Sequence, residues 1–283
     1  MFSFSILIPI YNGLKQGEAI LKRCFDSVIN QKYDKTKIEI IIINDGSIDN
    51  TLQFIEKYNK TSTIPLKVIS RENKGIADTR IELIQNASND YIVFLECDDE
   101  LAPDTLLNYN VSLEKYPADC VHGNSYDVDG NGKMKKRNTF FNSLFNKIFK
   151  PADYDGELFR KDRENIKWRF NNCYWGKCYS TKFLKSLDYS GLINNGKYTY
   201  DDFIFILYVA LFVTSINEIK AFTYIYYWYQ NSVSHDKSDS WDKYESTTKK
   251  VAKNIFRKEN FPNKEKLFKQ VVKSKNFRKT KLY

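Results

Sequence analysis

Two groups of acids stand where reaction chemistry could use them. The first is Glu96-Cys97-Asp98-Asp99-Glu100, which closes the apolar run starting at Tyr91, and the second is the adjacent pair Asp201-Asp202 in "YTYDDFIF". A hard divalent cation such as Mn or Mg needs few carboxylates when diphosphate oxygens complete its shell. Glu96, Asp98 and Asp99 could therefore hold a metal for an enzyme that works on a nucleoside diphosphate compound. An acidic turn leading into a helix explains the same residues without any ligand, because Pro103 and Asp104 in "APDTLL" make a good helix start. At Asp201-Asp202, two neighbouring carboxylates resist simultaneous ionisation, which raises the proton affinity of one and suits a general base. Acids that cap a buried helix at its positive end are the plainer alternative.

A third acid, Asp45 in "INDGSIDNT", directly follows an apolar run. A carboxylate there can accept a hydrogen bond from a base N–H. The same segment also reads as a turn into a helix capped by Asp49, Asn50 or Thr51.

The elements that must position these acids follow a regular pattern. Apolar strands "FSILIPI", "IEIIIIND", "LKVIS" and "YIVFLE" alternate with amphipathic helices around Leu21 to Ile29, Leu52 to Tyr58 and Ile76 to Ala87. Strands apolar throughout, separated by amphipathic helices, predict a mostly parallel sheet covered on both faces, an α/β three-layer sandwich. In such sheets ligands bind beyond the carboxyl ends of the strands. Those ends are "PIYNG", "INDGS", "SRENKG" and "LECDD", all polar and two of them acidic. The glycine pattern of a dinucleotide fold, G-x-G-x-x-G, is absent after the first strand.

Beyond Asp104 the alternation fades. A strand "CVHGNSYDV" runs into the hairpin signal "DGNGK", followed by a polar stretch to Asn165, the aromatic "WRFNNCYWGKCY", a buried helix over Phe203 to Val213 and a strand-like "AFTYIYYWY". This divides the chain into a ligand-binding half over 1–104, a mixed half over 105–235 and a basic helical extension over 236–283.

The chain carries a formal charge of +9, concentrated in the Lys/Arg-dense stretch from Lys249 onward, while its acids gather around Asp45, Asp98 and Asp201. The basic tail reads either as a solvated helix or as an amphipathic segment on an anionic membrane surface. Nucleic acid is not expected, because no zinc-finger, helix-turn-helix or RNP-like motif accompanies the charge. Five cysteines without a C-x-x-C pair indicate free thiols of a reducing compartment, and two histidines are too few for a histidine zinc site. No apolar run reaches the ~20 residues of a membrane span and no export leader is apparent, so a cytoplasmic location is expected. Trp168, Trp175 and Trp228 could stack on sugar rings but read more readily as core or half-buried packing residues.

"SILIPIYNG", "IIINDGSIDNT", "RENKGIADTR" and "YIVFLECDDELAPD", in this order, resemble the nucleotide-binding half of family 2 inverting glycosyltransferases with the GT-A fold. The resemblance extends more weakly through "YWGKCYSTKFL", "YTYDDFIF" and "YYWYQNSVSH". It implies that Pro9 and Tyr11 line a base pocket, that Asp45 reads the base, and that Asn73, Gly75 and Arg80, with Arg71 as neighbour, serve the pyrophosphate or sugar. It also implies that Glu96-Cys97-Asp98 stands for the family's D-x-D, with Asp98 on the metal and Asp99 beside it. Asp202 takes the place of the catalytic base, and Ser232 and His235 that of a segment closing over the donor phosphates.

The sequence departs from the family at Glu96, where Asp is usual, and at Asp201, where Glu is common. The resemblance implies a metal-dependent hexosyl- or N-acetylhexosaminyl-type transferase using Mn or Mg. It would move a sugar from a nucleotide-sugar donor, a UDP-sugar, to a glycan, lipid-linked or protein acceptor. The alternative suggested by the two departures is a degenerate relative that binds a nucleotide-sugar or a partner glycosyltransferase without turnover.

Overall fold

A computed structural model describes residues 1–137, 157–160, 173–191, 205, 206, 208, 209 and 212–229. The N-terminal half alternates as expected: β1 (Phe4–Ile10), α1 (Glu18–Ile29), β2 (Ile38–Asp45), α2 (Thr51–Asn59), β3 (Leu66–Arg71), α3 (Ile76–Asn86) and β4 (Tyr91–Phe94). Next come β5 (Glu100–Leu101), α4 (Thr105–Lys115), β6 (Cys120–Val128), β7 (Met134–Arg137), β8 (Glu157–Arg160), β9 (Lys177–Ser180), α5 (Thr181–Lys185) and β10 (Ile216–Tyr227).

All ten described strands form one sheet in the order β3-β2-β1-β4-β9-β6-β10-β5, with β7 on β6 and β8 on β10. The pairs β1–β2, β1–β4, β2–β3 and β6–β10 are parallel, whereas β9 runs antiparallel to both β4 and β6. Two antiparallel steps restore the original direction, so the carboxyl ends of β1, β2, β3, β4, β6 and β10 all lie at one end of the sheet.

The element choices follow from side-chain pattern. All seven residues of β1 are buried and β2 is buried at all but Glu39, as expected for central strands covered on both faces. In α1, Leu21, Cys24, Phe25 and Val28 recur at helical spacing and are the buried stripe. Phe25 meets α2 with its ring centroid 6.3 Å from Phe54 and 5.1 Å from Tyr58. The main core is one cluster from Phe4 to Tyr224, with a small second cluster of Ala102, Val128 and Ile225, and no described helix is long and apolar enough to cross a membrane.

Where the structure differs from the sequence expectation, the differences have local causes. β4 stops at Phe94, because β1 pairs with it only as far as Leu7–Phe94 before the chain turns at Glu96, with Asp99 N–H donating to Glu96 O at 3.2 Å. β10 starts five residues ahead of "AFTYIYYWY", at Ile216, where Cys120 and Arg160 supply neighbours. β7 follows the hairpin signal "DGNGK" and, with β8, falls within the polar stretch to Asn165, while β9 starts within the aromatic segment. Asp201, Asp202, Ser232, His235, Trp168 and the basic tail lie outside the described residues, while the described positions of the Phe203–Val213 segment are helical up to Phe212 and largely buried.

Candidate active site at the strand ends

The chain leaves β1 through Tyr11, 53% exposed, and Asn12, which holds φ 52°. That left-handed turn is tolerable for Asn and lets it bond the neighbouring loop twice. Asn12 N–H donates to Ser47 Oγ at 2.8 Å, and Asn12 Oδ1 accepts from Ile48 N–H at 2.9 Å. Pro9 is buried inside β1, so of the two residues expected at the base pocket only Tyr11 presents its ring to solvent.

Asp45 ends β2 and is almost fully buried. Its Oδ1 accepts from Lys74 N–H at 3.0 Å and its Oδ2 from Gly75 N–H at 2.9 Å, and Arg71 Nη1 lies 2.7 Å from Oδ1. A carboxylate offers about four acceptor positions; described donors take three of them. Gly46 makes this approach possible: at φ +72° a Cβ would fall 2.6 Å from Asn73 N. The loop so anchored exposes Asn73 and opens α3 at Gly75, φ +93°.

Both arginines assigned to the phosphate side are turned inward. Besides Asp45, Arg71 donates through Nη2 to Thr79 Oγ1 at 2.9 Å, and its Nε sits 2.9 Å from Glu82 Oε2, an ion-pair contact off hydrogen-bond alignment. Arg80 is 2% exposed, with its guanidinium 3.8 Å above the Tyr174 ring. Arg71 thus braces the Asp45 loop, and Arg80 packs α3 onto the segment before β9.

The acidic turn after β4 divides into different environments. Asp99 is 1% exposed and accepts from Tyr224 OH at 2.8 Å and from Tyr227 N–H at 2.8 Å. Two of its acceptor positions are thus taken by protein donors. Asp98 is held by its backbone, since Arg23 Nη2 donates to its carbonyl at 2.9 Å. The Asp98 carboxylate accepts from its own backbone N–H, and burial pushes its pKa up against the opposing pull of that bond and of Arg23. Arg23 itself is fixed by Glu100 at 2.8 Å, Tyr229 OH at 2.8 Å and the Tyr227 ring at 3.6 Å. Sequence reasoning passed over Arg23, Tyr224 and Tyr227; all three reach the turn only through tertiary packing.

Cys97 is kept as a thiol, because burial and then the charges of Asp98, Glu96 and Asp99 raise its pKa well above normal. Glu96 is half-buried, its backbone N–H on Tyr224 OH at 3.2 Å. Among the described residues no three His, Cys, Asp or Glu side chains converge to cage a metal. A partly buried carboxylate such as Asp98, bonded only to its own backbone N–H, still fits a hard cation, provided that a ligand supplies the remaining oxygens.

Residues 5–182 match the family model described as "Glycosyl transferase family 2". The chain belongs to that family. The family 2 chain is 24% identical over 221 residues to the glycosyltransferase GlyA of Streptococcus pneumoniae, covering 76% of this chain and 30% of that protein. It is 32% identical over 133 residues to a poly(ribitol-phosphate) beta-glucosyltransferase of Bacillus spizizenii, covering 46% of this chain and 20% of the relative. It therefore spans less than a third of the length of these relatives.

Among solved structures, Staphylococcus aureus TarS residues 1-349 in complex with UDP-GlcNAc superposes with TM-score 0.73 at 19% identity, over 98% of this chain and 73% of that one. At that identity the likeness establishes the fold, the GT-A type of α/β sandwich.

Proposed function

We propose that this family 2 chain transfers a sugar from a nucleotide-diphosphate donor, a UDP-sugar, to an acceptor hydroxyl with inversion at the anomeric carbon. The observation that carries this reading is the pair of adjacent acids at the end of β4: the Asp99 carboxylate accepts from Tyr224 and Tyr227, while the only described hydrogen bond to the Asp98 carboxylate comes from its own backbone N–H. Burial makes the Asp98 charge costly to keep, and a cation joining it lowers that cost. The relatives whose names specify an acceptor act on poly(ribitol-phosphate), and TarS has been solved with UDP-GlcNAc, which supports a nucleotide-sugar donor and a glycan acceptor here.

In this reading Tyr11 stacks on the base and the free acceptor position of Asp45 takes a base N–H. The exposed Asn73 loop meets the donor phosphates, joined by Ser232 and His235. Mn or Mg on Asp98 supplies charge neutralisation of the departing diphosphate when bound. Asp202 removes the acceptor proton, leaving the alkoxide-like oxygen to attack the anomeric carbon from the face opposite the nucleotide. The five free cysteines accord with a reducing, cytoplasmic setting.

The test is a thermal-shift panel of nucleotide-sugars with and without Mn, joined to transfer assays of Asp202→Asn and Asp98→Asn. Asp202→Asn is expected to keep the donor shift and lose transfer, and Asp98→Asn to lose the Mn-dependent part of the shift. Donor binding without hydrolysis or transfer in the unaltered chain would instead identify a non-catalytic binder.

A further inference from the structure

The β6–β7 hairpin carries Lys133, Lys135, Lys136 and Arg137 within five residues. It lies at the same end of the sheet as Asp98, because Tyr227, which donates to Asp99, pairs with Val128 at the end of β6. Register determines which way each side chain faces. Arg137 is opposite Ser125 and Lys135 is opposite Asp127, while Tyr224 and Tyr226 of β10 are opposite those same two β6 residues. All of these share one face of the sheet, and Lys136, opposite Tyr126, is on the other.

On the shared face Trp175 stacks on Tyr224 at 4.6 Å and on Tyr226 at 5.4 Å between centroids. The Arg137 guanidinium lies 5.6 Å from the Tyr226 ring. Asp127 pins Arg137 Nε at 2.8 Å, and no described residue accepts from its Nη groups. Asp127 Oδ1 and Ser125 Oγ are buried atoms without a described hydrogen-bond partner, Ser125 being only 1% exposed.

We infer that this face is the acceptor track, and that its ligand is an anionic glycan: a phosphodiester or carboxylate group meets Arg137 and Lys135 while a sugar or polyol unit lies against Tyr226. The inference rests on the glycosyltransferase reading for the word acceptor, but the surface chemistry stands by itself. A guanidinium pinned through Nε presents its remaining donors in a fixed fork, which matches the oxygens of a phosphate or carboxylate. Aromatic faces take the C–H side of a sugar. The unsatisfied Asp127 Oδ1 needs a hydrogen-bond donor, which a glycan hydroxyl supplies and which a DNA phosphate backbone lacks.

The experiment is equilibrium binding of the full chain to fluorescent oligomers without donor present: a polyol-phosphate oligomer, a uronate-containing oligosaccharide and a neutral dextran oligosaccharide. Phosphatidylglycerol vesicles and single-stranded DNA complete the panel. One of the two anionic glycans is expected to bind best, the preference between them telling phosphodiester from carboxylate. Arg137→Gln weakens that binding about tenfold or more, whereas Lys136→Gln, on the opposite face, changes it by no more than about twofold.

Equal binding of dextran, tighter binding of DNA or vesicles, or equal losses in the two variants overturns the inference. A UDP-sugar thermal shift measured on the same protein separates the two claims. Glycan binding without a donor shift removes the transferase reading and leaves the track; a donor shift without glycan binding does the reverse.

Discussion

The Tyr224 hydroxyl donates to Asp99 Oδ2 at 2.8 Å, joining the end of β10 to the acidic turn after β4 across a sequence separation of 125 residues. The Tyr227 N–H completes the join on the other carboxylate oxygen at 2.8 Å. Asp99 thereby fixes the turn, and Asp98, one residue earlier, has its carbonyl tied to Arg23 and its carboxylate bonded to its own backbone N–H. Similar neighbours in sequence are given separate tasks by tertiary structure.

Alanine at these two positions should therefore do different things. Asp99→Ala strands a buried hydroxyl and a backbone N–H, at about 1–3 kcal/mol each, so urea unfolding should show a clear loss of stability whether or not Mn is present. Asp98→Ala strands no donor beyond its own backbone N–H and removes a poorly solvated charge; its metal-free stability should stay within about 0.5 kcal/mol or rise. It should, however, abolish the Mn-dependent increment of a nucleotide-sugar thermal shift. A stable Asp99→Ala that loses the Mn response would reverse the assignment.

Asp45 and Arg71 should behave as one unit. The ion pair is 2.7 Å long, with side chains 5% and 11% exposed, and removing either partner leaves the other charge buried, at about 3–5 kcal/mol. Asp45→Ala also frees the N–H groups of Lys74 and Gly75. A double-mutant cycle of Asp45→Ala with Arg71→Ala, read by urea denaturation, should show strong non-additivity, on the order of 2 kcal/mol. Additive losses would mean that the two residues support the loop independently.

Gly46→Ala probes the loop from the other side. At φ +72° an L-residue costs about 1–2 kcal/mol, and the new Cβ would sit 2.6 Å from Asn73 N. Since backbone cannot swing aside as a side chain does, the Asn73–Gly75 loop must shift away from Asp45. The expected outcome is a raised donor KM with kcat nearly retained; an unchanged KM at lowered stability would show that this loop does not touch the donor.

The first hundred residues were legible because each strand–helix unit is short, local and apolar on a fixed period; β1, β2 and β3 end within one residue of where their pattern ends. The strand ends were legible for the same reason, as polar residues directly after buried runs. The individual tasks of Asp98, Asp99, Arg71 and Arg80 were not, because they depend on Tyr224, Tyr227, Glu82 and Tyr174, partners that strand and helix periodicity does not bring together. β9 escaped detection for a related reason: as an antiparallel insert between β4 and β6, its four residues take their pattern from neighbours distant in sequence.

Lys177 on β9 gives a prediction that no sequence pattern contains. Its side chain is wholly buried beside His122 of β6, and burial pushes its pKa down to about 8, against about 10.4 in an unfolded chain. Below pH 8 both states hold the proton, and the folded state bears the burial cost of the ammonium, offset in part by its hydrogen bond to the Cys173 carbonyl. Between about pH 8 and 10.4 the unfolded chain binds more protons than the folded one, so stability attributable to Lys177 rises with pH, by up to about 3 kcal/mol across the window. Lys177→Met removes this titration while retaining side-chain bulk. The stability gap between the variant and the unaltered chain, from urea denaturation at pH 7, 9 and 10.5, should shift steadily in favour of the unaltered chain as pH rises. Tyrosines that ionise in the same range are common to both chains and cancel in the difference. A gap constant across that range would show that Lys177 does not titrate there, and that a charge partner holds its proton in the folded state.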